Sequence, residues 1–169
     1  MTRRTLRVIL SCLLPLGLVA AGGLIRIFFS ATVGMTCEDS LKLALTQSIS
    51  FHPDHPYLLY WGQGLPLVGL YLLKGFHTLF GNRLLALRLP WILAGTFTLW
   101  MVYRLAERGL GRPQALLALF LLAVDQFHVT WTRIFYADVL MIACEVLALW
   151  CFWRADRGGQ PVVEWIRAG

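Results

Sequence analysis

Five apolar stretches divided by short polar ones lay out this 169-residue chain. The first is uncharged from Val8 to Ile25 and continues past Arg26 to Val33. About 20 apolar residues cross a bilayer core, so the stretch predicts a span over about 8–33. Val19-Ala20-Ala21 resembles a signal-peptidase site, which makes a cleaved signal peptide the rival reading. The continuation to Val33 favours an uncleaved anchor, with Arg26 snorkelling to the outer interface. Further apolar runs predict spans over about 84–103, 114–131 and 139–153.

Residues 57–80 decide the topology. The run is apolar but broken by Gly62, Gly64, Pro66, Lys74 and His77. If it crossed, Arg104, Arg108 and Arg112 would fall outside, against the tendency of arginines to stay in the cytoplasm. If it lies along the outer surface as a helix, those arginines face inward together with Arg3, Arg4, Arg7, Arg154, Arg157 and Arg167. The pattern therefore predicts an all-α, polytopic membrane protein with four transmembrane helices and two outer juxtamembrane helices. Residues 1–155 form the membrane domain, with an outer loop over 34–83, and 156–169 form a cytoplasmic tail. Both termini are expected in the cytoplasm.

Composition agrees with a bilayer. Only 14% of the residues are charged, against about 25% in soluble domains. The net charge of +6 is scattered between apolar runs, so no stripe for nucleic acid is present. Cys12, Cys37, Cys144 and Cys151 form no C-x-x-C pair, and neither a disulfide framework nor a zinc motif follows.

Polar chemistry collects in the expected outer segments. The loop His52-Pro53-Asp54-His55-Pro56 sets an acid and two histidines between prolines that disfavour helix. Glu38 and Asp39 are placed in the first turn of a short surface helix with Leu41, Leu43, Ala44 and Leu45 on one face; Thr36 or Asp39 can cap it. Arg133 and Asp138 bracket the turn into the last span, where a local salt bridge is the plain structural reading. Carboxylates and histidines gathered at one membrane face suit proton transfer or metal binding, although their spacing matches no closed metal motif. Asp125 and Glu145 lie inside apolar runs, where acids usually face a cavity or a partner.

These residues, in order, resemble a family. The acidic pair Glu38-Asp39, the turn Asp54-His55-Pro56, the stretch Gly81 to Arg88-Leu89-Pro90 opening a span, and Arg133 with Asp138 are similar to the N-terminal part of the GT-C membrane glycosyltransferases. Glycosyltransferase family 39, with the protein O-mannosyltransferases and aminoarabinose-type transferases, is the nearest likeness. The resemblance implies a partial GT-C fold, a bacterial inner-membrane location, a polyprenyl-phosphate sugar donor and an acceptor on the outer side. It places the catalytic base in Glu38 or Asp39 and the donor phosphate near Asp54 and His55. A divalent cation, where one is used, would lie between Asp138 and Asp39. The pair reads Glu-Asp where the family usually reads Asp-Glu, which leaves the choice of base open.

The chemistry fits on its own terms. A lipid phosphate is a good leaving group, so transfer needs a carboxylate for the acceptor's proton and positive charge for the released phosphate. Glu38 or Asp39 can supply the first; His55, Arg133, Lys74 or a cation can supply the second. Family members are far longer, so the chain is expected to be an N-terminal portion or to work with a partner subunit. The competing classes are a small four-span scaffold or non-catalytic subunit, and a transporter fragment using Asp125 and Glu145.

Overall fold

The computed structural model describes residues 3–48, 59–60, 63–64 and 67–156. Seven helices carry almost all of them: α1 (Arg3–Thr32), α2 (Cys37–Ser48), α3 (Leu67–Phe80), α4 (Leu84–Gly109), α5 (Arg112–Val124), α6 (Gln126–Trp131) and α7 (Ala137–Asp156). A two-residue antiparallel ladder, β1 (Leu59–Tyr60) with β2 (Gln63–Gly64), is the one sheet among the described residues. The fold is helical, as the apolar patterning predicts. Two of its helices, Leu13–Thr32 within α1 and Leu84–Gly109, are long and apolar enough to cross a membrane, and Arg112–Val124 is a shorter apolar helix.

The long helices pack by close backbone approach. α1 runs antiparallel to α4: Gly22 meets Leu99 near the middle of both, where an added Cβ would come within 2.6 Å of a Leu99 methyl. Arg88, near the start of α4, reaches the carbonyls of Ser30 and Val33 at the end of α1. α5 turns back along α4 after Gly111, whose φ of +90° suits a residue without a Cβ. Leu99 and Tyr103 of α4 then bury against Ala115, Leu119 and Ala123 of α5. α7 runs parallel to α4, with Gly69 of α3 touching both Trp91 and Ala137 at one end and Gly109 meeting Trp153 at the other.

A second core closes the upper end, taken as the end where α1 finishes. Leu73 of α3, Leu87 and Trp91 of α4, Phe135 and Val139 bury together, with Leu43 of α2 against them. α2 and α3 therefore cap the bundle at this end, while Arg104, Arg108, Arg112 and Arg154 mark the opposite one. α7 leaves Met141, Leu149 and Phe152 exposed, an apolar outer face that fits a lipid surrounding.

Four expectations need correction. The surface helix expected over 57–80 begins only at Leu67, behind the small ladder. At 14 residues α3 is about 21 Å long, too short to cross a bilayer core of about 30 Å. α4 runs on to Gly109 instead of ending near Tyr103, and carries Arg104 and Arg108 on its last turns. The run 114–131 is broken at Asp125, whose extended backbone (φ −58°, ψ 118°) ends α5 and whose carboxylate caps α6 by accepting the His128 N–H at 2.7 Å. Asp125 is exposed and serves as a helix cap.

Arg26 is the fourth. It does not snorkel outward but is wholly buried against the break between α5 and α6. Its guanidinium donates to the carbonyls of Gly22 at 2.7 Å and Ala123 at 3.4 Å, and lies 2.5 Å from His128 Nδ1. The last turn of a helix has carbonyls without intrahelical donors, and the end of α5 at Val124 offers them to this cation.

Candidate functional site

The site grows from the start of α2. Thr36 caps the helix: its hydroxyl accepts the Asp39 N–H at 3.1 Å, and Asp39 Oδ2 accepts the Thr36 N–H at 3.2 Å. This reciprocal capping puts Cys37, Glu38 and Asp39 in the first turn, where the helix dipole favours acids. Asp39 faces inward, and its neighbours on the same side are Leu43 and Thr46, four and seven residues on. Thr46 tolerates burial because its hydroxyl donates to the Leu43 carbonyl at 2.7 Å. The buried face is thus partly polar, and Ala44, expected on the apolar face, is exposed.

Asp39 is the hub of the upper end. Its side chain is completely buried, and Oδ2 receives Arg88 Nη2 at 2.6 Å. Oδ1 accepts the Phe135 N–H at 2.9 Å. Arg88 also donates to the carbonyls of Ser30 at 3.0 Å, Val33 at 2.8 Å and Gly34 at 2.9 Å. One ion pair therefore ties together the end of α1, the start of α2, α4 and the turn between α6 and α7. Hydrogen bonds take up the second Asp39 oxygen and both terminal nitrogens of Arg88, as a buried charge pair requires, while the Arg88 Nε is buried without a partner.

Glu38, the next residue, points the other way. Its carboxylate is 56% exposed and pairs with Lys42 Nζ at 2.9 Å. The Lys42 ammonium also sits 4.6 Å from the centre of the Tyr136 ring. Tyr136 in turn lines a cavity of about 210 Å³ with Phe127, His128, Trp131, Thr132 and Asp138. The Glu38 carboxylate, the Lys42 ammonium, the Tyr136 ring and the Asp138 cavity thus form one continuous neighbourhood at the upper end.

A second cavity, of about 400 Å³, lies on the opposite face of α6. Its walls are Ile25 and Phe29 of α1 with Val124 and Val129, and Gln126, Thr130 and Arg133 supply its polar side. The Arg133 guanidinium lies over the Phe29 ring at 5.4 Å and donates to the Thr130 hydroxyl at 3.2 Å. Helical spacing explains the division: Phe127, His128 and Trp131 face one cavity, and Gln126, Val129, Thr130 and Arg133 face the other. The plain expectation of an Arg133–Asp138 salt bridge is not met; no such pair occurs among the described residues, because the two side chains serve opposite faces.

The remaining expected site residues divide as follows. Asp54 and His55 lie outside the described residues. Lys74 is half-buried on α3 and lines neither cavity. Among the described residues no group of three His, Cys, Asp or Glu side chains could hold a metal. Asp39 in particular does not fit a metal ligand, since it is enclosed and its oxygens are held by Arg88 and two backbone N–H groups. Arg88, Lys42 and Tyr136 were not singled out for a role by the sequence. Arg88 carried a usable signal: a charge between Leu87 and Leu89 at the head of an apolar helix calls for a buried partner.

A helical bundle with two helices long and apolar enough to cross a membrane, a carboxylate beside an aromatic cavity and an arginine in an apolar groove suits a membrane protein equipped for polar chemistry at one end. Residues 64–169 match the family of dolichyl-phosphate-mannose–protein mannosyltransferases, and the chain belongs to that family, which makes it a membrane protein of glycosyltransferase type. The match takes in Lys74, Arg88, Arg133, Tyr136 and Asp138, while Glu38, Asp39, Asp54 and His55 precede it. Comparison with curated proteins and with solved structures returns no match.

Proposed function

We propose that the chain transfers a sugar from a polyprenyl-phosphate donor to an acceptor at the outer membrane face, with Glu38 as the general base. The observation that carries this reading is the contrast within the acidic pair. Asp39 is neutralised and enclosed by Arg88, whereas Glu38 is open and is linked through Lys42 to Tyr136, a wall of the Asp138 cavity. A base must reach the acceptor's hydroxyl within hydrogen-bond distance, and only the exposed carboxylate can do so.

Charge and shape divide the substrates between the cavities. The Asp138 cavity, walled by Trp131 and Tyr136, receives the acceptor together with the sugar and the phosphate bonded to it, and His55 steadies the charge that develops as the bond between them breaks. The Arg133 groove, apolar along Ile25, Phe29 and Val124, takes the lipid tail that continues from that phosphate. Asp54 and His55 are assigned to that phosphate, and Lys74, which lines neither cavity, takes no part in this reading. In this topology α1, α4, α5 with α6, and α7 are the four spans, and the arginine end faces the cytoplasm. The transporter reading loses its motive, because Asp125 is a cap and Glu145 is exposed on α7.

The test is transfer in proteoliposomes supplied with polyprenyl-phosphate-linked sugars, mannose first. Glu38→Gln is expected to lower the rate about 10²–10⁴-fold while leaving the fold intact. Wild-type transfer by Glu38→Gln would remove the base assignment.

A further inference from the structure

At the end of the bundle away from Glu38 and Asp138, arginines and indoles converge. The Arg108 guanidinium lies 3.9 Å from the centre of the Trp150 ring. Arg104 approaches the same ring at 5.6 Å and the Trp100 ring at 5.5 Å. These side chains are held in register, because α4 and α7 meet so closely that a Cβ on Gly109 would come within 2.7 Å of the Trp153 ring.

Among the described side chains the cluster is short of negative charge. Its acid, Glu107, already accepts the Tyr103 hydroxyl and stands 4.0 Å from Arg104. Among the described residues no carboxylate pairs with Arg108. Two guanidiniums stacked near one indole repel each other, and their N–H edges stay available to an acceptor. An anion between them relieves the repulsion. Leu149 and Phe152 of α7, 59% and 56% exposed, and Leu110 just past the end of α4, 68% exposed, extend the surface in apolar form.

We propose that this end of α4 and α7 binds an anionic phospholipid, with the headgroup phosphate at Arg104 and Arg108 and the acyl chains along Leu149 and Phe152. Trp100 and Trp150 mark the depth of the membrane interface, where indoles settle with one end apolar and the other wet. A soluble anion would use the arginines but not the exposed leucines and phenylalanine. The site is separate from the transfer chemistry and does not depend on it.

The full chain is reconstituted in phosphatidylcholine bilayers containing either brominated phosphatidylglycerol or brominated phosphatidylcholine. Bromine quenches nearby indoles, and the signal lost in Trp150→Phe isolates Trp150. Quenching by the anionic lipid is expected to exceed that by the zwitterionic one. Arg104→Gln with Arg108→Gln should weaken that preference on the order of 5-fold per arginine removed. Lysine at both positions should keep most of it, which separates lost charge from a damaged fold. Equal quenching by the two lipids, or an unchanged preference in the glutamine pair, overturns the proposal. So does abolition of the preference by dissolved glycerol phosphate, which would identify a soluble anion as the ligand.

Discussion

Arg88 and Asp39, 49 positions apart in the chain, meet at 2.6 Å with neither side chain exposed. The pair fixes where α2 begins and hence where the Glu38 carboxylate points. Through the Phe135 N–H it also fixes the turn that delivers Tyr136 and Asp138.

Breaking the pair on one side leaves a charge buried without its counterion. Arg88→Ala is expected to destabilise the protein by about 3–5 kcal/mol, as is typical for one partner of a buried ion pair. Thermal unfolding in nanodiscs measures it. A double-mutant cycle with Asp39→Ala should give strong coupling; additive losses would show that the contact carries little.

Glu38→Gln should be nearly silent in the same unfolding experiment. An exposed i,i+4 pair such as Glu38–Lys42 contributes about 0.3–0.5 kcal/mol. A large stability loss would mean that Glu38 supports the fold and that lost transfer cannot be assigned to a missing base.

Gly95 lies so close to Thr132 that an added side chain would collide with the threonine's Cβ and Cγ2. Gly95→Val should therefore cost about 1–3 kcal/mol by forcing α4 away from the turn after α6. Transfer should fall more than stability alone explains, because that turn leads to Tyr136 and Asp138. Rates measured below the unfolding temperature separate the two effects.

Arg133→Ala should weaken binding of the lipid-linked donor, raising its KM with little change in kcat, without disturbing the Asp138 cavity, from which α6 divides it. His55→Ala should instead slow transfer itself. Loss of one charge-stabilising donor corresponds to about 2–4 kcal/mol in transition-state stabilisation, roughly 30- to 1,000-fold in kcat/KM. If His55→Ala transfers at the wild-type rate at all donor concentrations, the phosphate lies elsewhere.

Asn82, exposed in the turn between α3 and α4, reports the topology. In a background without cysteine, Asn82→Cys should react with an impermeant thiol reagent added from outside. Labelling only from the cytoplasm would invert the topology proposed above.

Much of this architecture was legible in the chain, because hydrophobic runs and arginine placement are local properties. Four of the apolar runs became α1, α4, α5 with α6, and α7, and the described residues of the Gly-broken stretch before α3 form the β1–β2 ladder. The acidic pair could also be placed at a helix start, since Thr36 and two acids ahead of leucines form a local capping pattern.

Long-range contact decided the rest. Glu38 and Asp39 are adjacent and chemically alike, and nothing local says which is open; the arrival of Arg88 buries one and leaves the other to Lys42. Arg26 looked like an interface residue until the end of α5 offered it unpaired carbonyls. Arg133 and Asp138 seemed close enough to pair, yet the helical turn of α6 and the bend after it send them to different cavities. The sequence alone determined the helices, their apolar faces and the charge at their ends. Only the tertiary structure determined which charges meet, because a charge that becomes buried must find its partner wherever packing brings one within reach.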